Sequence, residues 1–285
     1  DRVSMGVQDF NPEVQKLVNR FQPYEITANL TQQARDLGFH SVNYDLIYGL
    51  AKQTPESFAE TARLTVALKP DRIALYSFAL VPWIKPAQRL FKDEDLPSGA
   101  EKRKLYEIAR EILMNAGYVE IGMDHFALPS EALSLAAQNK KLHRNFMGYT
   151  DQKSEVMLGL GVSSISETPY SFHQNEKLLN LYQERLEKNE IPTHRGHVHT
   201  DEDREHREQI LKLMTQLRVS FKNAQQANAA RVFLAEMAKD GLVEVNEQEV
   251  KITEKGRPFL RNACVFFDER LRLKQPQTQV FSKSI

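Results

Sequence analysis

The sequence predicts an α/β fold: parallel strands joined by helical crossovers, then a mainly helical second part. Three observations carry this. Strand-like apolar runs alternate with amphipathic helical stretches as far as Ile121. Several of those helices open on a recognisable start signal, such as Asn11-Pro12-Glu13 or Thr54-Pro55-Glu56. After Glu167 the alternation stops and helices with charged faces take over. The alternation fits either a barrel or an open sheet.

In order, Val3–Gln8 reads as a strand, and Asn11 caps a short helix with Pro12 at its first position. Tyr24–Leu37 is a second helix, stopped by Gly38, and Ser41–Ile47 is a strand ending in Tyr48-Gly49. Thr54 starts a helix that runs to Leu68, and Arg72–Phe78 is a strand, followed by a long loop through Val81–Pro86. Ser98–Ala116 is an amphipathic helix and Tyr118–Ile121 the next strand. Met157–Ile165 is apolar and glycine-rich, which suggests a buried segment that something approaches closely. Helices are expected over Glu176–Lys188, Asp201–Leu217 and Ala224–Lys239. A hairpin of Val243–Val245 and Val250–Ile252 follows the Asp240-Gly241 turn, and Arg257–Leu271 closes as a helix. Helix, turn, two-stranded wing and helix look like a winged-helix end. The boundary is expected near residue 170, giving parts 1–170 and 171–285, with a loose polar tail over Lys274–Ser284.

Composition narrows the function. The 285 residues carry 38 basic and 38 acidic side chains, so no net field favours nucleic acid or an anionic membrane. No apolar run approaches the roughly 20 residues that span a bilayer. The single cysteine, Cys264, excludes an internal disulfide framework and a multi-cysteine metal site, and reads as a core thiol. This is the usage of a reducing, cytoplasmic compartment. The chain starts at Asp1 without a Met, and Val3–Val7 already reads as a buried strand. The expectation is that the natural protein extends upstream, so targeting cannot be judged from this end.

Two runs stand apart from the periodic segments: Gly122–Ala127 (GMDHFA) and His143–Tyr149 (HRNFMGY). Each sets ionisable groups against rings and small residues, which suits a pocket for a ligand that is part ring and part carboxylate. In parallel α/β folds function gathers at strand carboxyl ends, where Gln8, Ala79 and Asp124-His125 fall. Asp45, inside a strand, needs a partner, and suits the two hydroxyls of a ribose. Arg20 suits a carboxylate; an Asp45–Arg20 ion pair that only braces the fold is the alternative. His194–His199 is dense in imidazole but lies in an expected loop, with no Cys or acidic ligand at fixed spacing. The mixed charges of the winged-helix-like end favour a lid over the barrel rather than DNA binding.

Several runs together carry a resemblance. Gly6-Val7-Gln8-Asp9-Phe10 with Val18-Asn19-Arg20, Asn43–Leu50, Pro82–Arg89, Gly122–Ala127 and His143–Phe146 resemble oxygen-independent coproporphyrinogen III oxidase (coproporphyrinogen dehydrogenase), a radical S-adenosylmethionine family of haem synthesis. The likeness runs through essentially the whole chain. It implies the C-terminal part of a partial parallel β/α (radical SAM, TIM-like) barrel, followed by the helical domain. It also implies two S-adenosylmethionine molecules, a 4Fe-4S cluster on a C-x3-C-x2-C motif, and oxidative decarboxylation of two propionates of coproporphyrinogen III to vinyls. That cysteine motif is missing here, so the resemblance implies a chain that is inactive alone. The alternative is a haem-binding chaperone homologue, which would be expected to lack the Gly122–Ala127 and His143–Phe146 runs.

By resemblance Gln8, Arg20, Asp45, Ala79 and Ile165 contact S-adenosylmethionine, with Phe146 and Met147 beside the second molecule. Met147 stands where the family often has Gln, and Leu80 where it commonly has His. Candidate substrate contacts are His125, His143, Arg144, Lys85 and Arg89 for carboxylates and Trp83 and Phe126 for rings, with Asp124 a further candidate. The expected partners are coproporphyrinogen III, an electron donor and an electron acceptor, with no nucleic acid, no membrane and a monomeric state.

Overall fold

The computed structural model describes residues 1–83, 88, 89 and 91–273. Lys85 and the tail from Lys274 lie outside the described residues. The chain divides into two compact units, Asp1–Leu135 and Ala136–Gln275, so the break comes ahead of the expected position near 170. Among the described residues no helix is long and apolar enough to cross a membrane.

The first unit alternates as expected through its first three strands. The elements are β1 (Arg2–Gln8), α1 (Pro12–Leu17), α2 (Tyr24–Asp36), β2 (Ser41–Tyr48), α3 (Pro55–Leu68), β3 (Arg72–Ser77) and α4 (Gly99–Asn115). Local chemistry sets these boundaries. The side chains of Asn11, Thr54 and Ser98 each accept from a first-turn amide, the last two in reciprocal capping boxes. β1, β2 and β3 pair in parallel. Along β2 the side chains alternate: Val42, Tyr44, Leu46 and Tyr48 are buried in the core with Phe58, Ile73 and Phe126. Asn43, Asp45 and Ile47 therefore face the other side of the sheet.

The sheet then departs from the expected parallel alternation. β4 (Val119–Ile121) turns back through Gly122, at φ +65°, into β5 (His125–Ala127). β5 is antiparallel to both β4 and β3, giving the order β1-β2-β3-β5-β4. The Gly122–Ala127 run is thus a turn and a strand. The short helix α5 (Ala132–Gln138) follows.

The second unit begins with a hairpin of β6 (His143–Asn145) and β7 (Gly148–Thr150), so the second aromatic run is also strand and turn. β8 (Ile165–Glu167), β9 (Ser171–Asn175), α6 (Leu179–Glu187) and β10 (Thr193–Val198) follow. The three strands form an antiparallel sheet, so the histidine-rich segment is a strand and not a loop. Next come α7 (Asp201–Gln216), β11 (Arg218–Ser220), α8 (Ala224–Phe233), α9 (Ala235–Lys239), β12 (Val243–Val245) and β13 (Glu249–Ile252). The expected 224–239 helix is broken at Leu234. β11 adds a third strand to the expected hairpin, in the order β11-β13-β12. The expected closing helix is two short ones, α10 (Leu260–Cys264) and α11 (Glu269–Leu273), with 3-10 turns at 257–259 and 265–267.

Met157–Ile165 is not buried as expected: Leu158 is 72% and Leu160 88% exposed. Its glycine does serve close approach, since a Cβ on Gly159 would stand 2.6 Å from the Ile165 carbonyl oxygen. Cys264 is buried, and burial pushes its thiol up to about 12. At pH 8 it should react with a disulfide reagent at least about a hundredfold more slowly in the folded chain than in urea. Equal rates would mean an accessible thiol.

Candidate functional site

In the first unit one face of the paired strands β1 and β2 carries a convergent polar group. Gly6 pairs with Asp45, Asp45 with Ala74, and Ala74 with His125, so one row crosses the sheet. The β1–β2 register shifts between Gly6 and Gln8, and Gln8 takes φ +66°. That turn brings its side chain back over Gly6. A Cβ there would stand 2.6 Å from Gln8 Nε2 and 3.1 Å from Arg20 Nη2. Gln8 and Arg20 thus share the space that only a glycine leaves open.

Asp45 accepts from Asn43 Nδ2 at 2.9 Å. Burial raises its carboxyl above the ordinary value; the Asn43 hydrogen bond and the charges of His125 and Arg20 partly offset this. No Arg20–Asp45 hydrogen bond or ion pair forms: Arg20 Nε donates to Gln22 Oε1 at 3.3 Å. The bracing pair expected as an alternative is therefore absent. His125 Nδ1 lies 2.6 Å from Asp124 Oδ1, and its ring meets Tyr76 edge-on. Ala79 follows β3 at the same sheet edge, its carbonyl held by Gln88 Nε2 at 3.1 Å. Trp83 and Arg89 are exposed, and Phe126 is a core residue with no exposed ring face.

The remaining predicted residues belong to the second unit, where a cavity of about 560 Å³ opens. Arg144, Phe146 and Ile165 line it; Met147, 80% exposed, and His143 do not. Burial holds the His143 imidazole below its usual value, so it is neutral near pH 7. Phe172, Ile210, Leu211 and Met214 make the walls largely apolar. Glu167, which the sequence reading missed, accepts from the Phe146 amide at 3.3 Å and from Arg207 Nη2. Arg207 also donates to the Thr168 carbonyl at 3.1 Å and lies over Phe172. This fixes the backbone that carries Phe146. His197 and His199 line the same cavity; their i, i+2 spacing was the available strand signal. Asp203 grips Arg270 at 2.7 and 2.9 Å, and this pair holds the Asp203 carboxyl far below its usual range.

His194–His199 supplies no metal cluster among the described residues. One group of possible ligands does converge, Glu202, His206 and Glu269, with ligand atoms within 4.8 Å of one another. Two of the three, Glu202 and His206, stand one turn apart along α7.

Residues 1–65 match the family model of the radical SAM superfamily. Along its whole length the chain is similar to the oxygen-independent coproporphyrinogen III oxidases. It is 44% identical over 294 residues to that of Salmonella typhimurium and 43% to that of Escherichia coli K12, covering 100% of this chain. A solved structure, coproporphyrinogen III oxidase (HemN) from Escherichia coli, reported as a radical SAM enzyme, superposes with a TM-score of 0.90 at 43% identity over 95% of this chain. The chain spans 64% of the length of these relatives. The family resemblance read from the sequence motifs is upheld.

Proposed function

We propose that this chain is the segment of an oxygen-independent coproporphyrinogen III oxidase that holds S-adenosylmethionine and part of the tetrapyrrole pocket. Whole-length relatedness at 44% identity supports the family-level reading. The geometric observation that carries it is the meeting of Gln8 and Arg20 over the bare backbone of Gly6, with Asp45 as its partner on the next strand. These side chains fit S-adenosylmethionine: Asp45 accepts from ribose hydroxyls, Arg20 meets the amino-acid carboxylate, and Gln8 offers an amide. Ala79 and Ile165 would give backbone or apolar contacts, and Phe146 and Met147 would flank a second molecule. Asp124, His125, His143, Arg144, Lys85, Arg89 and Trp83 remain the substrate candidates. In the complete protein S-adenosylmethionine, held by these residues, would supply the radical chemistry for oxidative decarboxylation of two propionates of coproporphyrinogen III to vinyls, giving protoporphyrinogen IX, with the electrons passing to an acceptor. Electron donor and acceptor, monomeric state and a cytoplasmic setting belong to the same reading.

The residues present do not fit the 4Fe-4S cluster. It needs three thiolates, and Cys264 is the only cysteine, buried and protonated. No step of the reaction is assigned to this chain alone. The finer fold reading, a partial barrel followed by a winged-helix-like end, is supported by the parallel β1-β2-β3 run and by the order α7-β11-α8-α9-β12-β13.

An anaerobic assay decides between oxidase and haem carrier. The expected result is protoporphyrinogen from coproporphyrinogen III and S-adenosylmethionine with a protein that joins this sequence to a cysteine-motif segment, and none with the 285 residues alone. Tight haem retention without turnover in the joined protein would overturn the oxidase reading in favour of a haem-binding homologue.

A further inference from the structure

Arg144 is the unsatisfied cation of the second unit's cavity. Its Nε is buried without a hydrogen-bond partner. Among the described residues its guanidinium forms no ion pair; it lies over the Tyr149 ring, 5.4 Å from the centroid. The other guanidinium groups lining the cavity are engaged: Arg207 by Glu167, Arg270 by Asp203 and Arg195 by Gln174. Cys264, close enough to feel the Arg144 charge, is held protonated by burial and is no counter-ion. A buried N–H without an acceptor is costly, and on a cationic group an anion is the acceptor that offsets the cost best.

We propose that Arg144 is the carboxylate-binding point of this cavity, which takes an amphipathic ligand with an apolar ring body and a pendant carboxylate. Phe146, Phe172, Ile210 and Met214 supply the apolar wall, and the volume is that of a small-molecule site. Tyr149 packs against the guanidinium, and a carboxylate in the cavity would accept from its N–H groups. That the carboxylate is a propionate of the tetrapyrrole rests on the function proposed above; the anion subsite itself does not.

The test uses two probes, coproporphyrin III and 1-pyrenebutyrate, each against its methyl ester, followed by fluorescence. Arg144→Met should weaken both free acids by at least about tenfold, the loss expected for a charge-assisted pair. Arg144→Lys should recover part of that loss, and neither substitution should alter binding of the esters. Arg195→Met, at a paired arginine of the same cavity, should leave both acids near wild-type affinity. Free acids that bind the Arg144→Met and wild-type chains alike, or esters that bind as tightly as acids, would overturn the subsite. Arg144-dependent binding of pyrenebutyrate without any of coproporphyrin would keep the subsite and sink the tetrapyrrole reading. Thermal unfolding of each variant reports the fold; should Arg144→Met not fold, Arg144→Lys and Arg144→Gln carry the same comparison.

Discussion

Asp9→Ala should destabilise the first unit by about 3–5 kcal/mol, because buried donors left without an acceptor cost roughly 1–3 kcal/mol each. Asp9 is 1% exposed. Its carboxylate accepts from Thr61 Oγ1 at 2.6 Å, Gln53 Nε2 at 2.6 Å and the Asn11 amide at 2.7 Å. Burial raises its carboxyl above the ordinary value, and those hydrogen bonds offset only part of the rise. Gln53 also donates to the Ile47 carbonyl at 2.8 Å and accepts from the Leu50 amide at 2.9 Å. One carboxylate therefore ties the turn after β1, the turn after β2 and α3 into a single rim. Gln8 is its immediate neighbour, so the geometry of the proposed ligand site rests on this network. Asp9→Asn keeps the shape but turns an amide donor toward Gln53, and should cost less, about 1–2 kcal/mol. Urea unfolding at neutral pH measures both. Stability of Asp9→Ala within about 1 kcal/mol of wild type would show that the network carries little.

What was legible in the sequence was what is encoded locally. Asn11, Thr54 and Ser98 announce helix starts because a cap is a contact over three residues. The strand positions of Gln8 and Asp45 followed from strand-like apolar runs, and the structure sets Gln8 at the end of β1 and Asp45 opposite Gly6 on β2. Strand pairing was not legible, because it depends on distant partners. Val119–Ile121 reads as a strand either way; only Gly122 at positive φ and the docking of His125 beside Ala74 make it half of an antiparallel hairpin. The same reason turned the His194–His199 segment from an expected loop into β10, paired to β9. Apolarity also failed to give direction: Leu158 and Leu160 suggested burial, and both point outward. Glu167 escaped notice because its partners, Arg207 and the Phe146 amide, lie 40 and 21 residues away.

Asp45→Asn should separate ligand binding from stability, moving them in opposite directions. The carboxyl of Asp45 is raised in the folded chain, chiefly by burial. A carboxyl raised on folding holds its proton more tightly in the native state. Its stabilising contribution is therefore fully present below the unfolded pKa and is lost as pH rises through the folded pKa. Burial penalises the charged form of Asp45; the amide carries no charge to penalise. The Asp45→Asn chain should thus be at least as stable as wild type at pH 7, and that advantage should fade as pH falls through the raised pKa of the folded chain and be gone below the ordinary carboxylate range. Binding should go the other way. A charged acceptor makes stronger hydrogen bonds to ribose hydroxyls than a neutral one, so affinity for S-adenosylhomocysteine should drop by roughly tenfold. Calorimetric titration and thermal unfolding on the same two proteins decide it. Unchanged affinity would remove Asp45 from the ribose site. A joint loss of affinity and stability would make it a strut of the sheet, because a side chain kept for its ligand at the expense of the fold cannot show both losses together.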